Sequence, residues 1–232
     1  MIAQKCAIIC FMDTYPMRIN KYLALKKIST RRGADILISE QKVFINGKRA
    51  VLGDKVKEGD KVELKGAKIK EYRYFAYNKP IGVETDSPKE GLFPLGRLDK
   101  ASHGLLILTD DGRITDQLLS PKYFHEKEYV VKTKQKLRSS FKGKMEAGVN
   151  IEGYVTKPCK VEIVNEFTFR VILTEGKKHQ IRRMCSALFQ DVADLKRERI
   201  MNIKLGQLKP KGTREITGKE LSIFLDQVLH QS

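Results

Sequence analysis

In the segment GRLDKASHGLLILTDDG, residues 96–112, a single aspartate stands among cations just ahead of an apolar run. Asp99 follows Arg97 by two residues and immediately precedes Lys100, so nearby positive charge favours its ionised form. A carboxylate held as an anion at neutral pH can serve as a nucleophile or a base. Spacing alone leaves a second reading open, in which Asp99 is an ordinary turn or surface charge. Asp110 and Asp111 are adjacent, as paired catalytic carboxylates can be, but Gly112 beside them points to a turn. The cysteines, Cys6, Cys10, Cys159 and Cys185, form no CxxC pair and no Cys/His set at zinc-ligand spacing. No metal site is therefore expected, and the thiols read as reduced cysteines of a cytoplasmic protein.

The field of the whole chain narrows the partner. Lysine and arginine number 45 against 28 acidic residues, a net charge of +17 over 232 residues. Such a field draws in polyanions and speeds their association, which makes nucleic acid the leading partner class. The alternative is charge that only keeps the protein in solution. Residues 17–64 carry a net +6 of the total, so both halves of the chain can touch one polyanion. Hydrophobic residues make up 41%, enough for a substantial core. The apolar run CAIICFM spans about seven residues where a membrane helix needs roughly 20, so no membrane association is expected. Residues 1–16 read as a disordered extension, with Met17 as an alternative start.

The elements that must position Asp99 follow from periodicity. Ile19, Tyr22 and Leu23 share one face of a short helix, and Ser29 is placed to cap a second whose apolar positions are Ala34, Ile36 and Leu37. KVFING alternates and ends in the tight-turn pair Asn46-Gly47, and KVKEGDKVEL repeats a turn followed by a strand. Residues 66–73 read as a linker, small and charged. Beyond it, YFAYNK is a strand stopped by Pro80, and GLLILT and KEYVVKT are further strands. KVEIVNEFTFRVILTEG is a hairpin turning at Asn165-Glu166, with Phe167, Phe169, Val171 and Leu173 on one face. Ile181, Met184, Cys185 and Leu188 form a helical stripe that Arg182 flanks, while Arg183 points outward. The last helix begins at Thr217, closes a capping box with Glu220, and buries Leu221, Phe224, Leu225 and Val228.

Residues 17–65 resemble the S4 RNA-binding domain, two helices with a short twisted sheet. After it, GRLDKASHGLLILTDDG, HEKEYVV and EGKKHQIRRMC follow in an order that resembles the RsuA-type pseudouridine synthases, which isomerise uridine in RNA. The match runs over nearly all of residues 17–226. HEKEYVV, GVNIEGYVTKPCKVEIV, FTFRVILTEG and RIMNI bring it nearest to the type F branch, which acts on large-subunit ribosomal RNA. The fold this implies is α+β, with the S4 unit followed over 74–232 by a mixed, mainly antiparallel sheet with flanking helices.

The same resemblance implies roles. Asp99 is the catalytic aspartate, Tyr129 stacks on the target base, and Arg182 pairs with Asp99. Breaking and remaking the bond between base and sugar needs a group at the ribose, a flat surface for the detached base and a cation that orients the carboxylate. Arg97 either fills the gap left by a flipped base or contacts a phosphate. Lys26, Lys27, Arg31, Arg32 and Arg183 are the further RNA contacts. Reactant and product hold the same atoms, so neither a redox cofactor nor a nucleotide is implied. The expected partner is a stem-loop of large-subunit ribosomal RNA, bound by a monomer. The rivals are a non-catalytic ribosome-assembly factor, a nucleic-acid glycosidase, and a sibling acting on small-subunit RNA. His103 departs from the usual wording of the family, and its role stays open.

Overall fold

A computed structural model describes residues 15–26, 28–66 and 71–229. The chain forms two compact units, the division falling between Lys70 and Glu71. Residues 67–70 of the expected linker lie outside the described residues, as does the expected extension apart from Tyr15 and Pro16.

In the first unit β1 (Met17–Arg18) leads into α1 (Ile19–Leu25) and α2 (Arg31–Ser39), and β2 (Val43–Ile45), β3 (Lys48–Arg49), β4 (Lys55–Val56) and β5 (Val62–Leu64) follow. Ile19, Leu23, Ala34, Ile38, Val43 and Val56 make its core. Asn46 and Gly47 take φ of 50° and 78°, the left-handed pair that a two-residue hairpin between β2 and β3 requires. Two expectations need correction. Thr30, not Ser29, caps α2, its hydroxyl accepting from the Gly33 N–H at 2.9 Å. Ser29 is buried, its hydroxyl in the space that a side chain at Gly33 would occupy. Ile36 is 60% exposed and Ile38 is buried in its stead, because Ile38 lies one turn beyond the buried Ala34.

The second unit comprises β6 (Tyr74–Lys79), β7 (Phe93–Leu95), β8 (His103–Thr109), α3 (Thr115–Leu119), β9 (Lys127–Thr133), α4 (Phe141–Glu146), β10 (Asn150–Ile151), β11 (Tyr154–Val155), β12 (Lys160–Asn165), β13 (Thr168–Leu173), α5 (Gln180–Ala187), β14 (Val192–Ile200), β15 (Ile203–Lys204), β16 (Thr213–Glu215) and α6 (Gly218–Leu229). Its large sheet runs β12-β13-β9-β14-β8-β6-β16, with β7 on β8 and β15 on β14. Among the described strands only β8 and β14 pair in parallel. β8 is covered on both faces, which explains its unbroken apolar run. Leu106 and Leu108 pack with Phe141, Met145, Ile181 and Met184 of α4 and α5. Leu105 and Ile107 pack with Leu118 of α3 and Phe224 and Val228 of α6.

The hairpin of β12 and β13 turns at Glu166-Phe167, one residue later than expected, because Asn165 still pairs with Thr168. Phe167 is thereby 40% exposed, while Phe169, Val171 and Leu173 remain in the core. Glu220 binds Arg214 at 2.6 and 2.8 Å instead of closing a capping box, and α6 begins at Gly218. Asp110-Asp111 is a turn, as expected. The buried Asp111 caps a short 3-10 turn over Gly112–Ile114 and accepts from Tyr74 and Arg113.

Candidate active site

Asp99 lies in the loop between β7 and β8, which is pinned from three sides. Thr85 takes both main-chain groups of Leu98, accepting from its N–H at 2.9 Å and donating to its carbonyl at 2.7 Å. From below, the ammonium of Lys79, a side chain with no exposed surface, donates to the carbonyls of Ser102 at 2.8 Å and Pro80 at 3.0 Å. From α5, Arg182 donates to the carbonyl of Ala101 at 2.8 Å. Burial pushes the pKa of Lys79 down, and the charge of Asp99 pulls it back up. The loop is thus rigidly placed, while the Asp99 side chain keeps 34% of its surface open.

The direct Arg182–Asp99 ion pair implied by the resemblance is not formed in this structure. Among the described residues the side chain that meets the Asp99 carboxylate is His179, whose Nε2 lies 3.3 Å from it. His179 sits at the start of α5 with a left-handed φ of 52°, a turn that aims its ring back at the β7–β8 loop. Arg182, one turn further along, reaches the loop backbone instead of its carboxylate. Arg183 does not point freely outward either. It donates to the Ile151 carbonyl at 2.9 Å and to Glu152 at 2.7 Å, tying α5 to the β10–β11 hairpin. Arg97 is exposed.

Tyr129 lies on β9 in the same buried cluster as Leu98, the neighbour of Asp99, and is 9% exposed. A base entering the site therefore meets the margin of its ring unless the surrounding side chains give way. His103, whose role the sequence leaves open, pairs with Asp194 of β14 at 2.9 Å. Sequence reasoning singled out neither His179 nor Asp194, although HQIRRM carries the histidine on its first position.

In the first unit, pairing of β1 with β4 sets Arg18 opposite Lys55. With Lys21 and Arg31 they line a recess of about 310 Å³. Of the expected RNA contacts only Arg31 belongs to it. Lys26 and Arg32 are exposed outside it, and Lys27 lies outside the described residues. Arg18, Lys21 and Lys55 were missed because their convergence depends on a strand pairing between residues far apart in sequence.

Both units match known proteins. The RNA pseudouridylate synthase family matches residues 73–187, and the S4 domain matches residues 17–62. The dual-specificity RNA pseudouridine synthase RluF of Escherichia coli K12 is 40% identical over 88% of this chain and 77% of its own length. Ribosomal large subunit pseudouridine synthase B of Bacillus subtilis is 34% identical over 88% of this chain and 93% of its own. A crystal structure of a pseudouridylate synthase superposes with a TM-score of 0.66 at 29% identity, covering 92% of this chain and all of that one. An S4 unit followed by a synthase unit, both matched and together covering most of the chain, places this protein in the RsuA-type RNA pseudouridine synthase family.

Proposed function

We propose that this enzyme isomerises a uridine in a folded stem-loop of large-subunit ribosomal RNA, close to the peptidyl-transferase region, acting as a cytoplasmic monomer. The observation that carries the chemistry is the placement of Asp99, a partly open carboxylate on a loop fixed by Thr85, Lys79 and Arg182. A group so held loses little freedom when it meets the ribose, and that preorganisation is what a reaction at a sugar carbon requires. Arg182 acts as a positioning residue through the loop backbone. Tyr129 supplies the surface for the base, and Arg97, exposed two residues from Asp99, occupies the gap left when the nucleotide turns out of its stack.

Selection of a folded target follows from two basic bodies on one chain. The recess of Arg18, Lys21, Arg31 and Lys55 suits phosphate positioning, which fixes register without reading bases. The large-subunit target rests on the identity to the Bacillus synthase, whose name specifies the large subunit. The test is a transcriptome-wide pseudouridine map from cells with and without this protein. Loss of one large-subunit site is expected. Loss confined to small-subunit RNA removes the target, and an unchanged map removes the activity. Since RluF is named as dual-specificity, the map covers all cellular RNA.

A further inference from the structure

One row of residues crosses the large sheet at the level of the Asp99 loop. Lys79 pairs with Gly104, Gly104 with Arg197, and Arg197 with Tyr129. Residues opposite one another in a ladder share a face, so two cations stand in line with the ring of Tyr129. Gly104 is required between them, because a Cβ there would lie 2.3 Å from the carbonyl oxygen of Arg197. Lys127, two residues before Tyr129 on β9, falls on that face as well.

Arg197 and Lys127 make their hydrogen bonds to carbonyls and have no carboxylate partner among the described residues, unlike other arginines of this unit. Arg113 sits on Asp111, Arg199 on Glu126 and Glu128, and Arg214 on Glu220. Arg197 is 3% exposed, its Nε donates to the carbonyl of Leu105 at 2.7 Å, and its Nη2 is buried with no partner among the described residues. Lys127 donates to the carbonyl of His125 at 3.3 Å. Burial, and then the charge of Arg197, push its pKa down to about 8. Uncompensated buried cations are costly, and a fold that keeps them beside a binding surface has left a place for an anion.

We infer that Arg197, with Lys127 beside it, is a catalytic group that receives the negative charge of the uracil ring when the base leaves the sugar. The inference rests on the pseudouridine reading above. The N1–C1′ bond breaks with its electron pair left on the base, spreading charge over O2 and O4. After the ring turns, C5 bonds to C1′, the C5 proton leaves to a carboxylate or water, and N1 takes up a proton. Nothing is oxidised or reduced. A neutral uracil draws little from a cation, whereas the anion draws strongly, so the interaction grows as the N1–C1′ bond breaks. The other anion of the substrate, a backbone phosphate, is suited to exposed side chains at a rim, and Arg197 lies within the sheet face.

The test compares Arg197→Met and Arg197→Lys in the full chain, under single turnover, on ribosomal RNA from cells lacking the protein. The methionine variant is expected to lose ~100-fold or more in rate while RNA affinity changes by less than about threefold. The lysine variant should recover at least about tenfold of that loss, because the charge returns without the full set of donors. A second arm needs no turnover. Barbiturate, a uracil-shaped ring that is anionic at neutral pH, and uracil are titrated into the protein by calorimetry. Barbiturate should bind at least about tenfold more tightly, and Arg197→Met should erase the preference. An unaffected rate in the methionine variant overturns the inference. So does weakened RNA binding at an unchanged rate, which marks a phosphate contact. Equal affinities for the two rings, or no binding of either, overturn it too. If the unsubstituted protein makes no pseudouridine, the functional reading has failed, and the barbiturate arm judges the cation cluster by itself.

Discussion

Replacing Lys127 by methionine should stabilise the protein, and the size of the effect follows from the surroundings of the ammonium. Its pKa falls from 10.5 to about 8 because burial, and then Arg197, disfavour the charged form. At pH 7 the lysine is protonated in both folded and unfolded chains, so the folded state carries the whole penalty, at most about 3–4 kcal/mol at ~1.4 kcal/mol per unit. Between pH 8 and 10.5 the unfolded chain holds more protons than the folded one, so stability of the unsubstituted protein climbs with pH. Lys127→Met keeps a similar stem and removes the charge. It should raise the melting temperature at pH 7, by roughly 2–4 °C for each kcal/mol recovered. The gap should narrow towards pH 10.5, where the parent has lost the same proton. Thermal unfolding of both proteins from pH 7 to 10.5 measures it. A variant less stable than its parent at pH 7, or a gap independent of pH, would show that the ammonium is not strained by its site.

Asp99→Asn should leave melting temperature and RNA affinity unchanged while activity falls below about one per cent, a barrier increase of ~2.7 kcal/mol; a rate above that level argues against a catalytic carboxylate. Tyr129→Phe should retain most of its rate and Tyr129→Ala should not, since only the phenyl variant keeps a ring for stacking; equal rates with equal melting temperatures would dispose of that role. Neutralising Arg18, Arg31 and Lys55 should weaken RNA binding without changing the single-turnover rate at saturation. The slope of log K against log salt should flatten by about 0.7–0.9 for every phosphate that is no longer neutralised, and an unchanged slope means the recess is not a phosphate site. Gly104→Ala should destabilise the fold by at least ~2 kcal/mol in urea unfolding, because φ is +105° and the added methyl meets the backbone of β14. Wild-type stability would mean that β8 and β14 can separate.

The elements whose local pattern matches their surroundings were legible in the sequence. GLLILT is uniformly apolar because both faces are covered, Asn46-Gly47 supplies the two positive φ values of a hairpin, and the stripe of α5 faces the core along its length. The motif around Asp99 carried the family and the position of its loop. What the sequence concealed are contacts set by strand pairing. VADLKRERI holds five charged residues and received no element, yet it becomes β14, a central strand. Its charges are accommodated because Arg199 meets Glu128 and Glu126, and Lys196 meets Glu198. The same pairing brings Arg197 level with Tyr129 and Lys79, and a left-handed turn at His179 gives Asp99 a partner other than the expected arginine. Residue types and periodicity decide which segments become strands and helices, since those depend on neighbours a few positions away. Register and loop direction decide which distant side chains meet, and both are settled only when the sheet and its covering helices pack together.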